Sequence, residues 1–153
     1  MITQALKELI AEAFQGVQLG SGVGLWQGEA VDDYKSETEQ AIERLKDEKL
    51  DWSKIPDEHL YGCEVSLCYF DPEGMRFHLP AFLLAEIDGK TNTGPLFHLT
   101  SLDEYALSKF ALLTEPQRVS VIAFLRWCLE NPDYESSRAD IERALREYWE
   151  ARI

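Results

Sequence analysis

The chain has 153 residues, with 28 Asp/Glu against 15 Lys/Arg (net charge −13) and 45% hydrophobic content. That much apolar material excludes a disordered chain, and the size fits one globular domain over residues 1–153. The acid is uneven: residues 29–105 hold 18 Asp/Glu against 7 Lys/Arg, a net of −11, which leaves −2 for the two flanks.

In chain order, residues 3–15 read as a helix with Ile2, Leu6, Leu9, Ile10, Ala13 and Phe14 on one face, Thr3 as cap and Gly16 as stop. GVQLGSGVGL (16–25) is a glycine-rich loop, followed by a helical turn near Glu29–Tyr34. Ser36 and Glu39 form a capping box that opens a helix over 37–49. Its apolar stripe is only Ala41, Ile42 and Leu45, so most of it is solvated or faces a partner. CEVSLCYF (63–70) fits a short strand or a buried helical stretch equally well.

Asp71-Pro72 is a good helix start. Pro80 should break or kink that helix near His78–Leu79, with a second apolar helix from Ala81 to Ile87 ending at Gly89. KTNTGP (90–95) is a loop, and Phe97–Leu99 a small extended piece. Ser101 with Glu104 opens a helix to about Leu112, and Thr114 with Gln117 one to about Leu129. A final helix over 137–152 aligns Ile141, Ala144, Leu145, Tyr148 and Trp149. The expected fold is mainly α, a compact single-domain protein of about six helices with at most a minor β element.

No apolar run approaches the roughly 18 residues of a membrane span. Lys7 and Glu8 interrupt the apolar N-terminus, unlike a signal peptide. Three cysteines, an odd count, argue against a disulfide framework. The expected setting is a reducing cytoplasm.

The motifs that would carry chemistry are weak. GSGVG (20–24) lacks both the preceding strand and the Gly-Lys-Ser/Thr ending of a phosphate loop. His59, Cys63, Cys68 and His78 could be assembled into a zinc site, but no paired close spacing such as C-x-x-C supports one. Cys68 with His78, or Cys63 with His98, is a conceivable nucleophile pair that only geometry could establish. Neither a serine-hydrolase elbow, a zinc-protease motif nor an EF-hand loop occurs. No cofactor and no catalytic residue is expected.

The carboxylates are more informative. A lopsided field speaks to association rather than to fold. Its complement is a cationic protein surface, and bare nucleic acid is the least suitable partner. Asp32, Asp33, Glu37, Glu39, Glu43, Asp47, Glu48 and Asp51 would supply the field, and Trp26, Tyr34 and Trp52 are candidate anchors. The alternatives are a small metal-binding or enzymatic domain built on the His/Cys quartet, and a protein that self-associates through its aromatic residues.

Several phrases together carry a resemblance: AFQGVQLGSGVGL (13–25), DDY (32–34), DEKLDW (47–52), DPEGMRFHLPAFLLAEI (71–87) and LTEPQRVSVIAFLRW (113–127). The chain resembles a family of small bacterial cytosolic proteins filed as a domain of unknown function, over roughly 13–128, with the last helix outside the match. The resemblance implies a small, soluble, mostly helical protein and brings no catalytic residues. Small acidic bacterial proteins of this kind are often immunity proteins, which suggests by analogy an inhibitor of a basic toxin.

Overall fold

A computed structural model describes residues 2–152. These residues form nine α-helices and no strand: α1 (Thr3–Ala13), α2 (Leu25–Asp32), α3 (Glu37–Arg44), α4 (Asp57–Gly62), α5 (Pro72–Ile87), α6 (Leu96–Thr100), α7 (Glu104–Ser108), α8 (Glu115–Leu129) and α9 (Arg138–Ala144). The fold is mainly α. The count exceeds six because α4, α6 and α7 are single turns with too few residues to show a period.

The core is one continuous cluster built on α5. Ten of its 16 residues are buried, among them Phe77, Leu79, Phe82 and Leu83, so no polar face is needed. Asp71 caps it, accepting the Gly74 N–H at 2.8 Å. α1 packs against both α5 and α8, inserting Leu6, Ile10 and Phe14. The chain end closes the core with Ile141, Ala144, Leu145 and Trp149. The Trp149 indole N–H donates to the Leu99 carbonyl at 2.9 Å.

Several local expectations are corrected. α5 runs through Pro80 without a break. A proline removes one helical hydrogen bond, and burial on every side of this helix outweighs that loss. Of the two readings open for residues 63–70, the helical one holds, as a 3₁₀ turn, Glu64–Cys68, and the strand does not. Phe97–Leu99 is helical, within α6. Asp103, not Ser101, caps α7, accepting the Ala106 N–H at 2.9 Å while Ser101 Oγ donates to the same carboxylate. The helix expected over 37–49 ends at Arg44. The chain there tightens through bonds from Leu45, Lys46 and Asp47 to carbonyls three residues back, which turns Asp47 toward α2. The last expected helix divides into α9, a π-helical turn Leu145–Trp149 and a 3₁₀ turn Glu150–Arg152. Thr3 lies inside α1 rather than at its cap.

α2 is the hinge between this core and an outer layer. It packs on α3 on one side and on the Glu64–Cys68 turn on the other. Two glycines permit that packing. A Cβ on Gly24 would collide with the Asp47 carboxylate, and one on Gly28 would lie about 2.5 Å from Ser66 Oγ.

Candidate protein-binding surface

The sequence-nominated acids and aromatics separate into two groups. The first belongs to the fold. Asp47 is only 7% exposed. Its carboxylate caps the N-terminus of α2, accepting the Trp26 N–H at 2.6 Å and the Gln27 N–H at 3.3 Å. Burial pushes its pKa above the usual carboxylate range, and the two amides with Lys49 and Arg44 only partly offset that. Trp52 is buried, with its indole N–H on the Phe14 carbonyl at 2.9 Å. Neither residue is placed to meet a partner. Glu48 accepts the N–H groups of Leu50 and Asp51 at 3.1 Å. Asp51 accepts from the Ser53 hydroxyl and N–H, which hold its carboxyl below the usual range. Both acids shape the loop they sit in.

The second group is outward. α3 has no buried residue at all. Ser36 caps it, accepting the Glu39 N–H at 3.1 Å, and Glu37 and Glu39 occupy its first turn, where the helix dipole favours them. Glu39 is 3.8 Å from Lys35, and Glu43 is 2.7 Å from Lys46. Even its thin apolar stripe faces water: Ile42 is 56% exposed and Leu45 79%. Leu50, on the loop that follows, is 69% exposed. Trp26 is half-buried, edge-on to His59, with the Lys46 ammonium 5.3 Å from its ring centre.

At the end of α2 three carboxylates crowd together. Glu29, Asp32 and Asp33 stand at i, i+3 and i+4, so they share one helix face. They occupy the last turn of α2, where the helix dipole disfavours negative charge, and no basic residue is present there. None of the three forms an ion pair among the described residues. Asp32 accepts the Tyr69 hydroxyl at 3.0 Å, but Glu29 Oε2 is buried with no partner. Burial first, then Asp33 and Asp32, raise the Glu29 pKa above its ordinary value. Glu29 is not among the acids nominated from sequence, although its spacing to Asp32 and Asp33 carries the signal.

Next to this cluster, α2 ends in a Schellman motif: the Lys35 N–H reaches back to the Ala30 carbonyl at 3.0 Å. The residue that must turn left-handed is Tyr34, at φ +58°. Glycine is the usual occupant of this position, and a bulky side chain there is strained. The Tyr34 ring is 97% exposed, so no packing in the chain compensates for that strain.

The His/Cys quartet is dispersed in character. Cys63 is buried, and desolvation with Glu29 and Asp47 nearby pushes its thiol up to about 12. Cys68 and His59 are exposed. His78 is fully buried, stacked on Phe70 at 4.3 Å, with Nδ1 2.7 Å from the Gly74 carbonyl oxygen. Burial lowers its pKa to about 4, so it is a neutral ring with Nε2 unpartnered. It lines a cleft of about 240 Å³ together with Trp26, Asp47, Glu48 and His59. Among the described residues no group of three or more His, Cys, Asp or Glu is placed to hold a metal ion, and no helix is long and apolar enough to cross a membrane.

Neither the curated proteins nor the solved structures give a match to this chain. A family model does, over residues 3–153, so the match includes the last helix that the resemblance over 13–128 left out. The chain belongs to that family, a family of unknown function (DUF6714).

Proposed function

We propose that this protein is a non-enzymatic binding domain that docks a basic protein on its α2–α3 face, in the manner of an immunity-type inhibitor that plugs a cationic cleft. The observation that carries this reading is the triad Glu29, Asp32 and Asp33, set without an ion-pair partner among the described residues against the negative end of a helix, with one Glu29 oxygen buried and unpartnered. Such an arrangement costs stability in the free protein, and a Lys or Arg from a partner would reverse that cost. Tyr34, next in sequence to Asp32 and Asp33, and Ile42 and Leu45 of the α3 region, which packs on α2, supply exposed apolar area, and an exposed aromatic ring suits a cationic surface rich in Arg or Lys. The wider field of residues 29–105 would speed capture by long-range attraction.

The test is capture at low salt on immobilised wild type and, in parallel, on Asp32→Lys/Asp33→Lys. Wild type should retain one basic protein in stoichiometric amount, released by moderate salt, and the reversed variant should not. With the captured protein in hand, the association rate should fall steeply with ionic strength for wild type and weakly for the variant. Equal rates and equal salt slopes for the two would refute the reading.

A further inference from the structure

A second cleft, of about 140 Å³, opens where the Glu64–Cys68 turn, α6 and α7 meet. Its floor carries Lys109, which is only 4% exposed. The ammonium donates to the carbonyls of Leu67 at 2.8 Å and Cys68 at 2.7 Å and lies 4.5 Å from the centre of the Tyr105 ring. An ammonium has three donors, so one N–H remains. Lys109 forms no ion pair among the described residues, although this region of the chain is rich in acid. A buried charge without a counter-ion is unfavourable. Burial accordingly lowers the Lys109 pKa.

His98 lines the same cleft and makes no hydrogen bond through its ring among the described residues; its one ring contact is edge-on to Phe97 at 5.6 Å. Burial and the neighbouring Lys109 hold its pKa at about 4, so it is a neutral ring that still carries one N–H donor. The walls are apolar: Met75 and Phe110 are buried behind the cleft, and Phe97 and Tyr105 stand exposed at its rim, at 72% and 62%. Exposed aromatic surface beside a cleft is a mark of ligand contact. Asp103 also borders it, but its carboxylate is occupied by the Ala106 N–H and the Ser101 hydroxyl.

We propose that this cleft binds a small organic monocarboxylate with an apolar body, its carboxylate on Lys109 and His98 and its body between Phe97 and Tyr105. The charge should be single. Asp103 at the rim and Glu64 and Glu104 nearby in the chain oppose a phosphate or a dicarboxylate, whereas one carboxylate is matched by one ammonium. This proposal stands apart from the α2–α3 reading and does not need it.

Cys68 makes the test direct. It lines the cleft and is the exposed one of the three free cysteines, Cys63 and Cys128 being buried. The measurement is the rate of Cys68 alkylation by iodoacetamide, with hexanoate as the probe and hexan-1-ol as its uncharged control. Hexanoate should slow the reaction roughly fivefold when present at about four times its dissociation constant, since only the free fraction reacts. Hexan-1-ol should do so far less. Phe97→Ser, at the exposed rim, should weaken the protection, and Lys109→Met should abolish it. Should Lys109→Met fail to fold, the side-chain amine resonance of Lys109 in wild type must shift on adding hexanoate. No protection by hexanoate, equal protection by hexan-1-ol, or an unmoved Lys109 resonance would each overturn the proposal.

Discussion

α5 and α2 end in the same backbone geometry with different residues in the position that demands it. At the end of α5 the Lys90 N–H reaches the Ala85 carbonyl, and Gly89 takes the left-handed turn at φ +71°. At the end of α2 the matching bond runs from Lys35 to Ala30, and Tyr34 takes the turn at φ +58°. α5 lies in the core, where a capped start, a glycine stop and burial on all sides outweigh the hydrogen bond lost at Pro80 and the unpartnered Nε2 of His78. The α2–α3 layer does the opposite at three points. It holds a strained tyrosine, an acid triad on the wrong end of a dipole, and a helix whose apolar stripe faces water. Folding supplies no reason for these choices, and the proposed docking of a basic surface would supply one.

The contrast is broken most sharply in the core. Leu83→Ala, at a fully buried α5 site, should cost about 2–5 kcal/mol, read as a lowered urea midpoint with unchanged slope. At the seam between the layers, Asp47→Ala removes the cap of α2 and leaves two amides facing a cleft, so it should cost about 1–3 kcal/mol. A loss in hydrogen-exchange protection confined to α2 would locate that effect.

Acid provides the next test. His78 and His98 are both held at about 4, against an ordinary 6.5. The unfolded chain takes up these protons as pH falls through 6.5, and the folded chain only near 4. Their contribution is therefore intact above pH 6.5 and is lost between 6.5 and 4, at about 1.4 kcal/mol per pH unit for each histidine. Urea midpoints measured at about pH 7 and about pH 5 should differ in that direction, and His98→Gln should shrink the difference. Glu29 and Asp47, held above the usual carboxylate range, work the other way: each contributes more stability as pH falls through its raised folded-state value.

The smallest expected effects have the opposite sign. Glu29→Gln should stabilise the free protein by about 0.5–1 kcal/mol, by relieving like-charge repulsion and the dipole. Tyr34→Gly should stabilise it by about 1 kcal/mol, by removing the left-handed strain. Both should weaken partner capture. A destabilised Glu29→Gln would mean that its carboxylate serves the fold after all.

What the sequence revealed follows the same division. Capping chemistry is local, so Asp71-Pro72, Thr114 with Gln117, Ser36 with Glu39, and Gly89 all read correctly. Where tertiary burial overrides a local rule, the local pattern misleads. Pro80 sits inside a helix because its surroundings are apolar on every side, and Asp47 leaves the expected helix because it caps a helix 20 residues away. Charge alone does not sort the acids: residue type does not say whether a carboxylate caps a helix, as Asp47 does, or carries a buried, unpartnered oxygen, as Glu29 does. Trp52 is the same lesson for an aromatic, since a core and an anchor tryptophan look identical in sequence.

The most direct test of this division is the unfolding free energy of Ile42→Ser/Leu45→Ser in urea. Both side chains lie on the exposed stripe of the α3 region, and the account predicts a stability within about 0.5 kcal/mol of wild type. A loss of several kcal/mol, as expected for core residues, would place α3 among the elements that hold the fold and contradict the proposal that it is a surface kept for a partner.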